Sequence, residues 1–136
     1  MSDATYHEVS INVPTSAICD LLVGAVEGGS NYWASFRLDP NFAKLVDKAD
    51  ITESSDFNFE KYYPMYDIEH PNYCLRVSDD EGGTTYNVTL ESFTNGLNIM
   101  ASRYPRHFKD VITENYDAVT SDVFIQCAVF GEIVFC

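Results

Sequence analysis

A chain of 136 residues with 46% hydrophobic and 14% aromatic side chains has the length of one domain and the apolar material to bury roughly 70% of the surface its unfolded form exposes. That composition excludes disorder for most of the chain. Eight Lys+Arg against 21 Asp+Glu give a net charge of −13, which repels nucleic acid and anionic membrane at long range and favours basic partners, so direct nucleic-acid or membrane binding is not expected.

Taken in order, residues 6–13 (Tyr-His-Glu-Val-Ser-Ile-Asn-Val) alternate with period two at Val9, Ile11 and Val13 and predict a strand with one buried face. Pro14 ends it, and Thr15 or Ser16 can cap a helix over about 16–27. The stripe of that helix is Ile18, Leu21, Leu22, Ala25 and Val26. Gly28 stands where a left-handed cap is usual, and Gly29 permits a sharp turn. Asn31 to Phe36 allows a short strand or a second helical turn, and is read first as an extended or irregular connection that brings Tyr32 and Trp33 to the core.

Residues 40–72 give a weaker pattern. Phe42 to Val46 allows one or two helical turns, while Pro64 and Pro71 argue against a long helix. The stretch is expected to be a loop-rich insertion in a single domain spanning 1–136. Two alternating runs within 73–90, separated by Asp79-Asp80-Glu81-Gly82-Gly83, predict a β-hairpin. Thr89 or Glu91 then opens a helix to about Arg103, in which Gly96 permits close packing. Pro105 starts another, to about Asn115. Thr120 or Ser121 is expected to cap a last, central helix with Asp122 in its first turn. Gly131 ends that helix, and Ile133 to Phe135 suggests a terminal strand. The expected fold is α+β, a small antiparallel sheet packed by about four helices.

Four cysteines at 19, 74, 127 and 136 show neither CxxC nor metal-like spacing, so no metal site and no cofactor are expected. The amino terminus lacks a basic region followed by an apolar one, and no apolar run would span a bilayer. A cytoplasmic protein with reduced thiols is the expectation.

Four candidate constellations emerge. Glu27 to Trp33 offers a carboxylate (Glu27), an amide (Asn31), a phenol (Tyr32) and the only indole (Trp33), which is what planar ligands such as nucleobases require. The stretch from Arg103 to Lys109, with Arg103, Arg106, His107 and Lys109, forms a local basic spot at a helix start, suited either to an anion or to neutralising nearby carboxylates such as Glu27 or Asp122. Asp79, Asp80 and Glu81 form an acidic surface suited to a basic partner. His107 and Asp110, one helical turn apart, suggest a surface hydrogen bond or, as a weaker reading, a general base.

The segment Glu27-Gly28-Gly29-Ser30-Asn31-Tyr32-Trp33 resembles the leading signature of a family of small tailed-phage and prophage proteins. Tyr104-Pro105-Arg106-His107-Phe108, Asp117-Ala118 with Thr120, Asp122-Val123-Phe124-Ile125-Gln126 and Phe130-Gly131-Glu132-Ile133-Val134 resemble its tail. Ser121 and Cys136 depart from it, where glycine is expected. The resemblance implies a phage accessory role in the host cytoplasm, more than any one activity. On that footing three functions are expected, in descending order. The first is sequestration of a small nucleotide-like immune signal by Glu27, Asn31, Tyr32, Trp33, Arg103, Arg106, His107 and Asp122 at a homo-oligomer interface. The second is acidic inhibition of a basic host defence protein of a CRISPR or restriction complex through Asp79, Asp80 and Glu81. The third is a small hydrolase using His107 and Asp110.

Overall fold

The hairpin that alternation predicts is the centre of the sheet. In the computed structural model, which describes residues 5–50, 64 and 67–136, strand β2 (Leu75–Asp79) pairs antiparallel with β3 (Thr85–Val88) and with β1 (Ala34–Leu38). The order is β1-β2-β3, with Val77 opposite both Phe36 and Tyr86. Asp79 shapes the turn by accepting the main-chain N–H of Glu81 (2.9 Å) and Gly82 (3.1 Å) on one oxygen. Gly83 closes it at φ 77°, a left-handed angle that suits glycine.

Five helices are present among the described residues: α1 (Thr15–Gly24), α2 (Pro40–Asp50), α3 (Leu90–Arg103), α4 (Pro105–Ile112) and α5 (Ala118–Phe130). With the antiparallel sheet they make the α+β fold that the pattern predicts. Pro105 occupies the first turn of α4, where its missing N–H costs nothing. Of the expected 40–72 insertion, 40–50 is helix α2, and 51–63, 65 and 66 lie outside the described residues.

Helix α5 is the hub. Eight consecutive residues, Thr120 to Cys127, are buried, so the helix is enclosed on every side. Its neighbours come unusually close. A methyl group at Gly96 of α3 would lie 2.9 Å from the Ala128 main-chain nitrogen, and one at Gly29 only 2.6 Å from the Ala118 carbonyl oxygen. The core joins Leu21, Leu22, Trp33, Leu75, Val77, Phe93, Met100, Phe124 and Ile125, with Phe93 stacked on Phe124 at 5.5 Å.

Several boundaries differ from the sequence expectation. Residues 5–14 form no strand, and Tyr6 and Val9 are each 84% exposed, because no edge of this chain's own sheet pairs with them. Thr15 does not cap α1. Pro14 holds the extended cap position, and the Thr15 hydroxyl donates to Glu69 instead. Helix α1 then runs into a wider turn over Ala25–Gly29, closed by Ser30 N–H to Ala25 carbonyl (2.9 Å). Gly28 there has φ 172°, extended backbone and not a left-handed cap. Asp117, not Thr120 or Ser121, caps α5. Its carboxylate accepts the Thr120 N–H and hydroxyl, each at 3.0 Å, and these bonds hold its pKa below the usual carboxylate value. Asp122 therefore lies beyond the first turn. Residues 133–136 form no strand; they are held by a side chain, as described next.

Candidate functional site

Enclosing a helix on every side forces its polar residues to find partners, because an unbonded buried polar group costs about 1–3 kcal/mol. Asp122 and Gln126 are one turn apart on α5, with 8% and 1% of their surface exposed. The 30–33 turn supplies the partners of Asp122. Trp33 N–H (3.1 Å) and Ala34 N–H (2.9 Å) both donate to the Ser30 carbonyl, which folds the chain tightly enough to aim three side chains at one point. Asp122 Oδ1 accepts Ser30 Oγ (2.7 Å) and the Trp33 indole Nε1 (2.9 Å). Asp122 Oδ2 accepts Tyr32 Oη (2.6 Å) and Gln126 Nε2 (3.0 Å). Four donors fill the acceptor sites of a carboxylate, and all four are neutral.

Gln126 extends this network into the carboxyl-terminal segment. Its Oε1 accepts the main-chain N–H of Val134 and of Phe135, both at 2.7 Å, and its Nε2 donates to the Phe135 carbonyl at 3.0 Å. One side-chain amide thus does the work of a strand neighbour. Phe135 stacks on Trp33 at 5.0 Å, with Phe130 at 5.3 Å from the same indole. The Tyr104 hydroxyl accepts the Ile133 N–H at 3.0 Å. The segment is therefore a wall and not a loose end.

Against that wall lies a cleft of about 490 Å³. It is lined by Gly28, Gly29 and Tyr32 of the turn, Ala118, Val119 and Val123 of α5, Ile133, Phe135 and Cys136 of the carboxyl-terminal segment, and His107 of α4. Its surface is chiefly apolar. Asp122 and Gln126 line it but have spent their hydrogen bonds internally, so the Tyr32 hydroxyl and His107 are the polar groups best able to meet a ligand. Burial, the hydrogen bond to Asp122 and the charge of Asp122 push the Tyr32 pKa up to about 12, so the phenol stays protonated at neutral pH.

Of the eight ligand-site residues expected from sequence, Tyr32, His107 and Asp122 meet at this cleft. Trp33 is adjoining but fully buried, so its ring packs on Phe135 and is not a platform for a ligand. Glu27, Asn31 and Arg106 are exposed and outside the cleft wall. Arg103 is not among the partners of Asp122, whose four donors are Ser30, Tyr32, Trp33 and Gln126. Its Nη1 donates to the Gly131 carbonyl (3.4 Å) and its guanidinium lies 5.7 Å from the Tyr104 ring centre. No hydrogen bond joins His107 to Asp110, and among the described residues no group of three or more His, Cys, Asp or Glu could hold a metal ion. At the hairpin, Asp80 accepts the Ser35 hydroxyl at 2.9 Å and is exposed with Glu81, whereas Asp79 is partly buried and committed to the turn.

Ser30 and Gln126 are the site residues that sequence reasoning does not nominate. A signal for Gln126 exists: a lone amide amid Phe124, Ile125 and Cys127 on an apolar helix needs a buried partner, and Asp122 stands four residues before it. No helix among the described residues is long and apolar enough to cross a membrane. No protein-family model, curated protein or solved structure matches this chain, so the chemistry of the cleft rests on its own residues.

Proposed function

We propose that the chain is a phage accessory protein that acts in the host cytoplasm by stoichiometric binding, sequestering a small nucleotide-type immune signal. The observation that carries this reading is the cleft itself. Its volume of about 490 Å³ falls in the range of small-molecule sites, roughly 300–1,000 Å³, and apolar walls with a few polar groups are the usual lining. The base or nucleoside part would lie between the Gly28–Gly29 turn and Phe135, donating to the Tyr32 hydroxyl oxygen, whose own proton is held by Asp122, and bonding His107. Because the four donors to Asp122 are all neutral, phosphate groups belong near His107 and the exposed Arg106 that precedes it, not beside Asp122.

The test is thermal melting with nucleosides, cyclic nucleotides and ADP-ribose derivatives, on the native protein and on Val119→Trp. Val119 lines the cleft yet is 58% exposed, so the larger ring blocks the cleft without disturbing the core. A ligand at about 100 times its Kd should add on the order of 2.7 kcal/mol to the stability of the native protein, and far less to the variant. The reading is lost if no compound in the panel raises the melting temperature, or if Val119→Trp responds equally.

A second reading, an acidic inhibitor of a basic host defence complex, is favoured by the charge of −13 and the exposure of Asp80 and Glu81 at the hairpin tip. Asp80→Asn with Glu81→Gln should then weaken a salt-sensitive complex with that protein. Asp79 is left intact in this test because it shapes the turn.

A further inference from the structure

Residues 6–13 have the alternation of a strand and no strand partner among the described residues. The inner end is anchored: Val13 packs against the core, and Ile11, Asn12 and Val13 line a groove with Thr94, Leu97 and Phe108. From there outward every residue is exposed, with Tyr6 and Val9 at 84% and Ile11 at 53%. Three of the large apolar side chains that this protein leaves in water therefore fall on one short arm. Isolated surface apolar residues need no explanation, but three on a strand-patterned arm do.

The same chain carries a matching acceptor. Asp79 N–H bonds the Thr84 carbonyl at 2.8 Å, and bonded pairs recur every second residue in an antiparallel ladder. Thr84, Tyr86 and Val88 thus face β2, while the main-chain groups of Thr85 and Asn87 point outward, and no described residue bonds them. Edge strands are ordinarily guarded by charge or proline. Thr84-Thr85-Tyr86-Asn87-Val88-Thr89 has neither, whereas β1 carries Arg37. The arm from Thr5 to Val13 carries one carboxylate, Glu8. In a chain of net charge −13, two copies repel over most of their surface, and these near-neutral segments are where they can meet.

We propose that the arm of one copy adds as a fourth strand to the β3 edge of a second copy, and that the exchange is reciprocal, giving a closed two-fold dimer. Thr5 to Ser10, extended, spans about 20 Å, enough to cover the four residues of β3. Val9 would then continue the apolar face begun by Tyr86 and Val88, while Ile11 stays in the groove of its own copy. The proposal is independent of what the cleft binds.

Light scattering on the full chain tests it, together with amide exchange. The native protein should be a dimer that dissociates on dilution, with slowed exchange at Thr85 and Asn87. The double variant Tyr6→Glu/Val9→Glu changes only side chains that are 84% exposed in the single copy, so it should be folded by circular dichroism and monomeric by light scattering, with fast exchange at both amides. Asn87→Pro removes an outward N–H and leaves the ladder to β2, and should also give a monomer. A native protein that is monomeric at every concentration overturns the proposal, as does a dimer that survives the arm substitutions. If Asn87→Pro does not fold, the native exchange pattern decides: a dimer with unprotected Thr85 and Asn87 joins elsewhere, and the β3 assignment fails.

Discussion

Two carboxylates of this protein, Asp79 and Asp122, each organise a turn and do so in opposite surroundings. Asp79 takes two main-chain N–H groups from its own hairpin, in contact with water. Asp122 takes four donors, three of them from residues about 90 positions away in sequence, behind an almost closed surface. The first contact is local and its loss can be made good by solvent. The second fastens the 30–33 turn to α5 and, through Gln126, to the carboxyl-terminal wall, so the walls of the cleft and the packing of Trp33 share one charge. An acidic composition thus conceals two kinds of acid, a surface excess and, among the described residues, one buried tie.

The contrast is tested most severely at Asp122. Asp122→Ala strands the Ser30, Tyr32 and Trp33 donors and one Gln126 donor, and should destabilise by about 3–4 kcal/mol in chemical denaturation. A loss below about 1 kcal/mol would mean that the network is a consequence of packing and not a support of it. Gln126→Ala comes next. It unties Val134 and Phe135 while leaving Asp122 three donors, so the expected loss is smaller, about 2 kcal/mol. Its distinguishing mark is local: faster amide exchange at Val134 and Phe135, with that of β2 changed only in proportion to global stability. Uniform acceleration throughout the chain would show that the wall is not a separately held element.

Much of the fold was legible because it is written in local periodicity. The hairpin follows from two alternating runs around Asp79-Asp80-Glu81-Gly82-Gly83, α4 from Pro105, and the centrality of α5 from apolar residues over most of its circumference. The errors lie where a pattern needs a distant partner. Alternation at 6–13 is necessary for a strand but supplies no edge to pair with, and the arm stays exposed. Both Asp117 and Thr120 have the chemistry of a helix cap, and the choice between them is made by their reciprocal bonds. The site was half legible: Tyr32, His107 and Asp122 do converge, and Trp33 adjoins them. Periodicity shows that Asp122 is on a buried helix, but not that an indole 89 residues away will donate to it. It also gives no warning that Arg103 turns to a helix end instead.

The smallest expected effect is the one that completes the comparison. Asp80→Asn with Glu81→Gln removes two exposed charges from the hairpin tip and should change stability by no more than about 0.5 kcal/mol, whatever it does to a basic partner. Asp79→Asn should also be mild, because an asparagine oxygen can accept the same Glu81 and Gly82 N–H groups and hold the turn. Asp79→Ala removes that acceptor, but the freed N–H groups belong to exposed residues that water can reach, so a loss near 1 kcal/mol is the ceiling. If Asp79→Ala instead unfolded the protein as readily as Asp122→Ala, burial would not be what separates the two carboxylates. The hairpin turn, and not the Asp122 network, would then be the part of the molecule on which the cleft depends.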